Sequence, residues 1–143
     1  MKVLFALATI GASLAAIPAQ AADLQIRISG IRQAGGSVLV DLHNDPSAFP
    51  RDASRAFQRA RVRVTGSTVT HTFKNVPPGT YAYTYLVDEN GNGKLDTNAF
   101  GVPTEGIGFS MNPSFSLSAP SFSDAAFSVQ GRSSTAPSTV KYY

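Results

Sequence analysis

The feature that most constrains this chain is a succession of short apolar segments separated by turns that contain glycine or proline. Residues 24–28 (LQIRI) alternate apolar and polar side chains, which is the period of a half-buried strand. Further candidate strands follow at residues 37–42, 61–64, 68–73, 81–87, 114–117 and 125–129. Because no long segment has the 3.6-residue period of a helix, the sequence predicts an all-β fold, a single antiparallel β-sandwich.

Two segments depart from the strand pattern. Residues 46–60 interrupt it, and the run from Asp52 to Arg59 is predicted to form one short helical excursion that begins with an acidic residue. Residues 131–143 are rich in serine, threonine and proline and have little to bury, so they are predicted to be a flexible tail. The predicted domain is therefore residues 22–130. Its first two strands are expected to pair as a hairpin.

The beginning of the chain has the features of a secretory signal peptide. Lys2 supplies a positive charge, residues 3–16 are almost wholly apolar, and small residues precede a cleavage position after Ala21. The apolar run is too short to cross a membrane as a helix. We therefore expect residues 1–21 to be removed, and we expect a periplasmic or secreted protein that is not an integral helical membrane protein.

Composition excludes several classes of protein. The 143 residues contain no cysteine, which excludes a disulfide scaffold, thiol catalysis and a lipoprotein anchor. The formal net charge is only +3, and no base-stacking motif accompanies it, so nucleic acid is not an expected partner. The chain also lacks a G-x-S-x-G motif. We expect a monomer without enzymatic activity.

One stretch has a pattern that is typical of a metal site. Residues 88–96 (DENGNGKLD) fit D-x-N-x-N-G-x-x-D, the front of a calcium-binding loop. Calcium takes about six to eight oxygen ligands, and a loop that curls round the ion presents alternate side chains to it. The predicted ligands in this stretch are the side chains of Asp88, Asn90, Asn92 and Asp96 and the backbone carbonyl of Lys94.

The stretch is not an EF-hand. Its twelfth position is Ala99 instead of a glutamate, and no helical pattern flanks it. The remaining oxygen ligands have to come from elsewhere, and Glu105 is the nearest candidate, followed by Asp124 and Asn98. We predict a structural Ca²⁺ ion that stabilises the folded chain. The alternative is a metal-free turn, because Asn-Gly is common in hairpin turns.

Four segments of the chain carry a likeness to a known family. They are residues 76–82 (VPPGTYA), 88–98 (DENGNGKLDTN), 101–110 (GVPTEGIGFS) and 120–127 (PSFSDAAF). They resemble domain-of-unknown-function family 2141, a group of secreted bacterial proteins, which implies an exported β-sandwich without an assigned activity. Family members often carry a histidine and a basic residue where this chain has Val87 and Thr104. The segment PPGTY is also similar to prealbumin-like and carboxypeptidase-regulatory sandwiches, so the expected sandwich is immunoglobulin-like or prealbumin-like.

Two further groups of side chains are candidates for binding. Residues 81–85 place three tyrosines on one strand face, where they are expected to line the core, although such a ladder could instead stack on sugar rings. Arg51, Arg55 and Arg59 have the spacing of one helix face, which could contact an acidic surface of the cell envelope. A solvated basic face is the alternative.

These observations predict an exported, non-enzymatic β-sandwich module with one structural calcium site, either associated with the envelope or used for binding. The first alternative is a glycan or small-molecule binder that uses the aromatic loop of residues 100–109 beside the calcium site. A weaker alternative is a small hydrolase built around His43 or His71, with Asp41 placed to pair with His43 on the same strand face.

Overall fold

The computed structural model describes residues 20–143. Within that range the strands are β1 (Ala22–Ser29), β2 (Ser37–His43), β3 (Gln58–Arg63), β4 (Val69–Val76), β5 (Gly79–Asp88), β6 (Gly106–Phe109), β7 (Phe127–Val129) and β8 (Ser134–Thr139). There is also a 3-10 turn at Ala53–Arg55 and a helix, α1, at Phe122–Ala125. The strands form two sheets, one with the order β4-β1-β8 and one with the order β3-β2-β5-β6, in which β7 also pairs with β5.

The two sheets pack face to face through alternating side chains. In β1, Leu24, Ile26 and Ile28 are completely buried, and Val40 of β2 and Tyr83 of β5 are completely buried on the facing sheet. All of them belong to one apolar cluster. Burial of apolar surface contributes about 25 cal/mol per Å², so this cluster is the main source of stability. The predicted all-β sandwich is confirmed.

The tyrosines of β5 line this core, as the sequence predicts. Tyr81, Tyr83 and Tyr85 are each at most 3% exposed. The Tyr83 hydroxyl donates to the carbonyl of Ala136 at 2.8 Å, and the Tyr85 hydroxyl forms a hydrogen bond with the Ser138 hydroxyl at 2.9 Å. Both bonds cross from one sheet to the other. Burial raises the pKa of both phenols, which therefore stay neutral and fully hydrogen-bonded.

The helical excursion is shorter than predicted. It consists of the 3-10 turn at Ala53–Arg55, and β3 already begins at Gln58. Arg59 therefore lies in a strand, opposite Asp41 of β2. A run of this length is too short to be a stable helix without packing, whereas pairing with β2 satisfies the backbone of β3.

The predicted hairpin between the first two strands is wrong. β1 pairs with β4, and β2 pairs with β3 and β5, so residues 30–36 cross from one sheet to the other. The alternation of apolar residues defines the face that a strand buries but not the neighbour with which it pairs. The crossing ends at Gly36, where an added Cβ would lie 2.2 Å from the carbonyl oxygen of Asp88. Only glycine allows this close approach.

Two strand predictions near the end of the chain also need correction. Residues 114–117 form no strand, and Gly106–Phe109, treated as part of a loop, is strand β6. Glycine normally weakens a strand, which is why the sequence pattern favours a loop there. In the structure a Cβ on Gly108 would lie 2.1 Å from the hydroxyl of Tyr85, so the glycine makes room for a core side chain.

The prediction of a flexible tail is wrong for its central part. Residues 134–139 form β8, which pairs with β1 in parallel and is the parallel exception in an otherwise antiparallel fold. Ala136 and Ser138 face the interior and are at most 4% exposed. The segment has few large apolar residues to signal a strand, and its small side chains fit because two tyrosine rings already fill the space beneath them.

The described residues contain no helix long and apolar enough to cross a membrane. The predicted signal peptide is residues 1–21, and residues 1–19 of it lie outside the part of the chain that the structure describes. The described part begins at Gln20, shortly before β1.

The strand assignment of residues 134–139 predicts a clear mutational result. Ala136→Asp places a carboxylate in the core and should destabilise the protein by about 3 kcal/mol or more. The matched variant Thr135→Asp, on the exposed side of the same strand, should change the free energy of unfolding by only about 0.5 kcal/mol. Urea denaturation followed by circular dichroism measures both. If the two substitutions changed the free energy of unfolding equally little, residues 134–139 would have to be interpreted as a flexible tail.

Candidate functional site

Residues 88–96 (the Asx loop) follow directly from β5, which delivers Asp88 to the end of the five-stranded sheet. Asp88 is completely buried, and its two carboxylate oxygens each accept a backbone N–H at 2.9 Å, one from Gly91 and one from Gly93. Both glycines have φ of 77°, a conformation that other residues rarely adopt. The glycines of the motif therefore let the loop curl back over the carboxylate that begins it.

The alternate polar side chains of the loop converge as the sequence predicts. The Asn90 amide donates to Asp96 at 2.5 Å, and the Asn92 amide donates to both Asp96 oxygens at 2.7 and 2.9 Å. The side-chain oxygens of the two asparagines accept the N–H of Asn92 and of Lys94, each at 3.1 Å. The loop is thus a pair of successive Asx turns closed by one carboxylate.

Glu105 reaches the loop from outside, at the place where a completing carboxylate is predicted. It is 4% exposed, and its two oxygens accept the N–H of Glu89 at 3.0 Å and of Asp96 at 3.2 Å. One buried side chain therefore connects the two ends of the loop. The other candidates do not reach it, because Asp124 caps α1 through Ser121.

Asn98 also stays within its own turn. Its side-chain oxygen accepts the N–H groups of Phe100 and Val102 at 2.9 and 3.1 Å. This turn holds Phe100 at the tip of the segment with 88% of its surface exposed.

Some features of the Asx loop and Glu105 are compatible with a bound cation, and others oppose it. Within residues 20–143 there is no group of three or more His, Cys, Asp or Glu side chains placed to hold a metal, so an ion here would depend on amide and backbone oxygens as well. A carboxylate has about four acceptor positions, and Glu105 uses two of them on the backbone, which leaves two. Against a cation, the Arg61 guanidinium lies 3.3 Å from Asp88.

His43 is a buried polar residue outside the loop. It is completely buried, its ring packs edge-on against Phe49 at 5.7 Å, and both of its ring nitrogens lack a hydrogen-bond partner in the described part of the chain. The expected pair with Asp41 does not form, because Asp41 accepts from Arg59 at 2.7 Å instead. His71 packs against Phe73 on the other sheet. Removal from water lowers the pKa of both histidines.

The lowered pKa of His43 predicts a pH dependence of stability. The unfolded chain binds a proton near pH 6.5 whereas the folded ring resists it, so the free energy of unfolding should fall as the pH drops below about 6.5. His43→Leu removes two unpaired buried nitrogens and should stabilise the protein by roughly 1 kcal/mol at pH 7, and by more at pH 5. Thermal melts from pH 8 to pH 5 test this. His71→Gln is the comparison, because the lowered pKa of His71 contributes a pH dependence of its own. Equal pH dependence in His43→Leu and the unaltered protein would contradict the assignment to His43.

The three arginines predicted to share a helix face do not do so. Arg55, the last residue of the 3-10 turn, pairs with Asp45, and Arg59 of β3 pairs with Asp41. Arg51 forms no hydrogen bond or ion pair within residues 20–143. The short helical run that would have aligned these side chains is replaced by a turn and a strand.

The five-stranded sheet carries a groove on its outer face (the outer groove), which the sequence does not predict. Strand register places two rows of side chains on this face. One row is Arg59, Asp41, Thr84 and Phe109, and the next is Arg61, Leu39, Leu86 and Ile107. Each row begins with an arginine of β3 and ends with an apolar residue of β6, so the floor of the groove has both characters.

The walls of the outer groove come from loops. Leu95 and Pro103 stand on one side, and Leu117 and Tyr143 contribute elsewhere on the rim, with Arg51 among the lining residues. The cavity volume is about 380 Å³, within the range of small-molecule sites. Alternation along β2 and β5 indicates that these positions face outward, but the loops that turn an exposed face into a groove come from distant parts of the sequence.

The described residues define a small β-sandwich with an oxygen-rich loop at one end and a groove on one sheet. The profile of a family described as "Uncharacterized protein conserved in bacteria (DUF2141)" matches residues 26–136. The match covers well over half of the chain, so the protein belongs to this family, and the predicted resemblance is confirmed. The matched range includes the Asx loop and Glu105. No curated protein and no solved structure matches the chain.

Proposed function

We propose that this protein is an exported, non-enzymatic β-sandwich module in which the Asx loop holds one structural calcium ion. The observation that supports the proposal is the position of Glu105, a buried carboxylate that comes from a separate segment and meets both ends of the loop. A simple hairpin turn has no need of such a side chain. The oxygen donors would be Asp88, Asn90, Asn92 and Asp96, the carbonyl of Lys94, and Glu105.

Charge also favours a cation in the loop. Asp88 and Glu105 are buried and Asp96 is half-buried, and each of these carboxylates accepts hydrogen bonds from groups of the Asx loop. Burying negative charge is costly unless positive charge or hydrogen bonds compensate it. Backbone N–H groups and the half-exposed Arg61 supply part of the compensation, and a calcium ion would supply more.

Calcium should raise the melting temperature of the metal-stripped protein. At free calcium of about 100 times Kd, binding adds roughly 2.7 kcal/mol, which corresponds to a rise in Tm of about 10 °C for a chain of this size. Asp96→Asn and Glu105→Gln should abolish the rise. Arg61→Gln should strengthen calcium binding, because it removes a positive charge beside Asp88.

Glu89→Gln is the matched control for the calcium experiment. Glu89 lies in the same loop, but its side chain points away and pairs with Arg32 at 2.8 Å. Glu89→Gln removes the same charge as Glu105→Gln but should keep the full rise in Tm with calcium. If calcium had no effect in calorimetric titration or in thermal melts of the unaltered protein, the metal-free turn would be the correct interpretation.

Export after cleavage at Ala21 is the second part of the proposal. Its structural support is the start of β1 at Ala22, directly after the predicted cut, so cleavage would remove no residue of the sandwich. N-terminal sequencing of the protein recovered from the periplasm or medium of a bacterial host should give a chain that begins at Ala22. Ala19→Asp with Ala21→Asp should block cleavage and retain the precursor, and recovery of an unprocessed chain from the cytoplasm of the unaltered strain would contradict export.

The outer groove favours the small-molecule binder as the second candidate function. Its cavity volume of about 380 Å³ and its mixed floor are features that ligand sites share. The aromatic loop contributes less than expected, because Phe100 points into solvent and does not line the groove. The hydrolase alternative lacks comparable support, since no serine or carboxylate of the described chain forms a hydrogen bond with His43 or His71.

A further inference from the structure

We propose that the outer groove binds a single-chain anionic amphiphile, a molecule with an aliphatic chain that ends in a carboxylate. This inference rests on the binding function given above as the second candidate, and it names the chemical class of the ligand. It does not depend on whether calcium occupies the Asx loop.

The first argument is the aliphatic character of the groove. Its floor contains Leu39, Leu86 and Ile107 side by side on three neighbouring strands. At the rim, Leu95 and Leu117 remain 38% and 65% exposed. Large apolar side chains that stay exposed around one concavity mark a surface that gains free energy when an apolar partner covers it.

The second argument is the charge at the groove. Arg51 and Arg59 line it together with a single acidic residue, Asp41. Asp41 already accepts from Arg59, whose side chain is still 60% exposed, and Arg51 has no ion pair among residues 20–143. The guanidinium of Arg51 favours an anionic head group, because an arginine binds a carboxylate through parallel hydrogen bonds.

The third argument separates this ligand class from a glycan. Sugar rings stack on flat, exposed aromatic faces. Among the described residues that line the groove, the exposed aromatic side chain is Tyr143, and the Lys141 ammonium already lies 4.8 Å from its ring centre. The groove combines the neighbouring aliphatic side chains of Leu39, Leu86 and Ile107 with Arg51, which has no ion pair among residues 20–143. This combination is the complement of a fatty carboxylate.

The test uses the ¹⁵N-labelled exported protein and three eight-carbon probes, octanoate, octan-1-ol and octylammonium. Octanoate should shift the amide resonances of Leu86, Ile107 and Leu117 in a saturable way. Octanol should bind more weakly at the same amides, and octylammonium should bind most weakly. Each titration is run once with EDTA and once with calcium, and the effect of calcium on Tm is measured separately by thermal melts. A missing calcium effect and a missing octanoate site can therefore be told apart.

Two pairs of variants locate the head group and the chain. Arg51→Gln should weaken octanoate binding by about three- to fivefold and leave octanol unchanged. Arg63→Gln removes the same charge from an exposed position outside the groove and should change neither. Leu117→Ser should weaken all three probes, whereas Met111→Ser, an equally exposed apolar position away from the groove, should weaken none.

Four results would overturn the proposal. The first is no saturable shift with octanoate, and the second is equal binding of the anionic and cationic probes. The third is an oligosaccharide such as maltotriose that shifts the groove amides in preference to octanoate. The fourth is broadening of those amides with rising protein concentration, which would show that a second copy of the chain covers the groove.

Discussion

The carboxylate of Glu105 is the contact on which the end of this sandwich depends. A loop that leaves a buried strand carries backbone N–H groups with it, and those groups need acceptors wherever water is excluded. Glu105 accepts two of them, from Glu89 and Asp96, and Asp88 accepts two more. The loop is therefore ordered by side-chain oxygens rather than by a sheet ladder, and the same oxygens are the donors that a hard cation would use.

This arrangement also links the loop to the sheet beside it. Glu105 immediately precedes β6, and β6 supplies Ile107 to the floor of the outer groove. Leu95 belongs to the Asx loop and stands in the groove wall. Whatever fixes the position of the loop, a cation or hydrogen bonds alone, also fixes one side of the cavity. The two proposed properties of the protein thus share a structural element, although each is tested separately.

The sequence predicts those parts of the structure that depend on local pattern. Alternation identifies β1, β2, β4 and β5. The loop motif predicts inward-facing alternate side chains, and the structure joins Asn90 and Asn92 to Asp96. Glu105 follows from the missing twelfth position and from proximity along the chain. In each case the physical cause acts over a few residues.

The sequence does not predict features that arise from contacts between distant segments. β8 has few large apolar residues, and it becomes a strand because its backbone pairs with β1 and accepts the hydroxyl of Tyr83. The sequence pattern does not indicate a strand at β6, because the segment contains Gly108. The position of the Tyr85 side chain requires a glycine there. The helix expected up to Arg59 is lost to pairing with β2. The outer groove is missed for the same reason, since its floor and walls come from different segments.

The parallel pairing of β1 with β8 has a consequence for how the chain reaches its folded state. Ser29 and Ser138 are in contact although 109 positions separate them, so the three-stranded sheet closes by joining two segments that lie far apart in the sequence. Long-range pairing of this kind is slow, because the entropy of closing a large loop is lost before the contacts form. The three-stranded sheet therefore cannot close until residues 134–139 have been synthesised, and the joining of β8 to β1 is expected to be a late and slow step of folding.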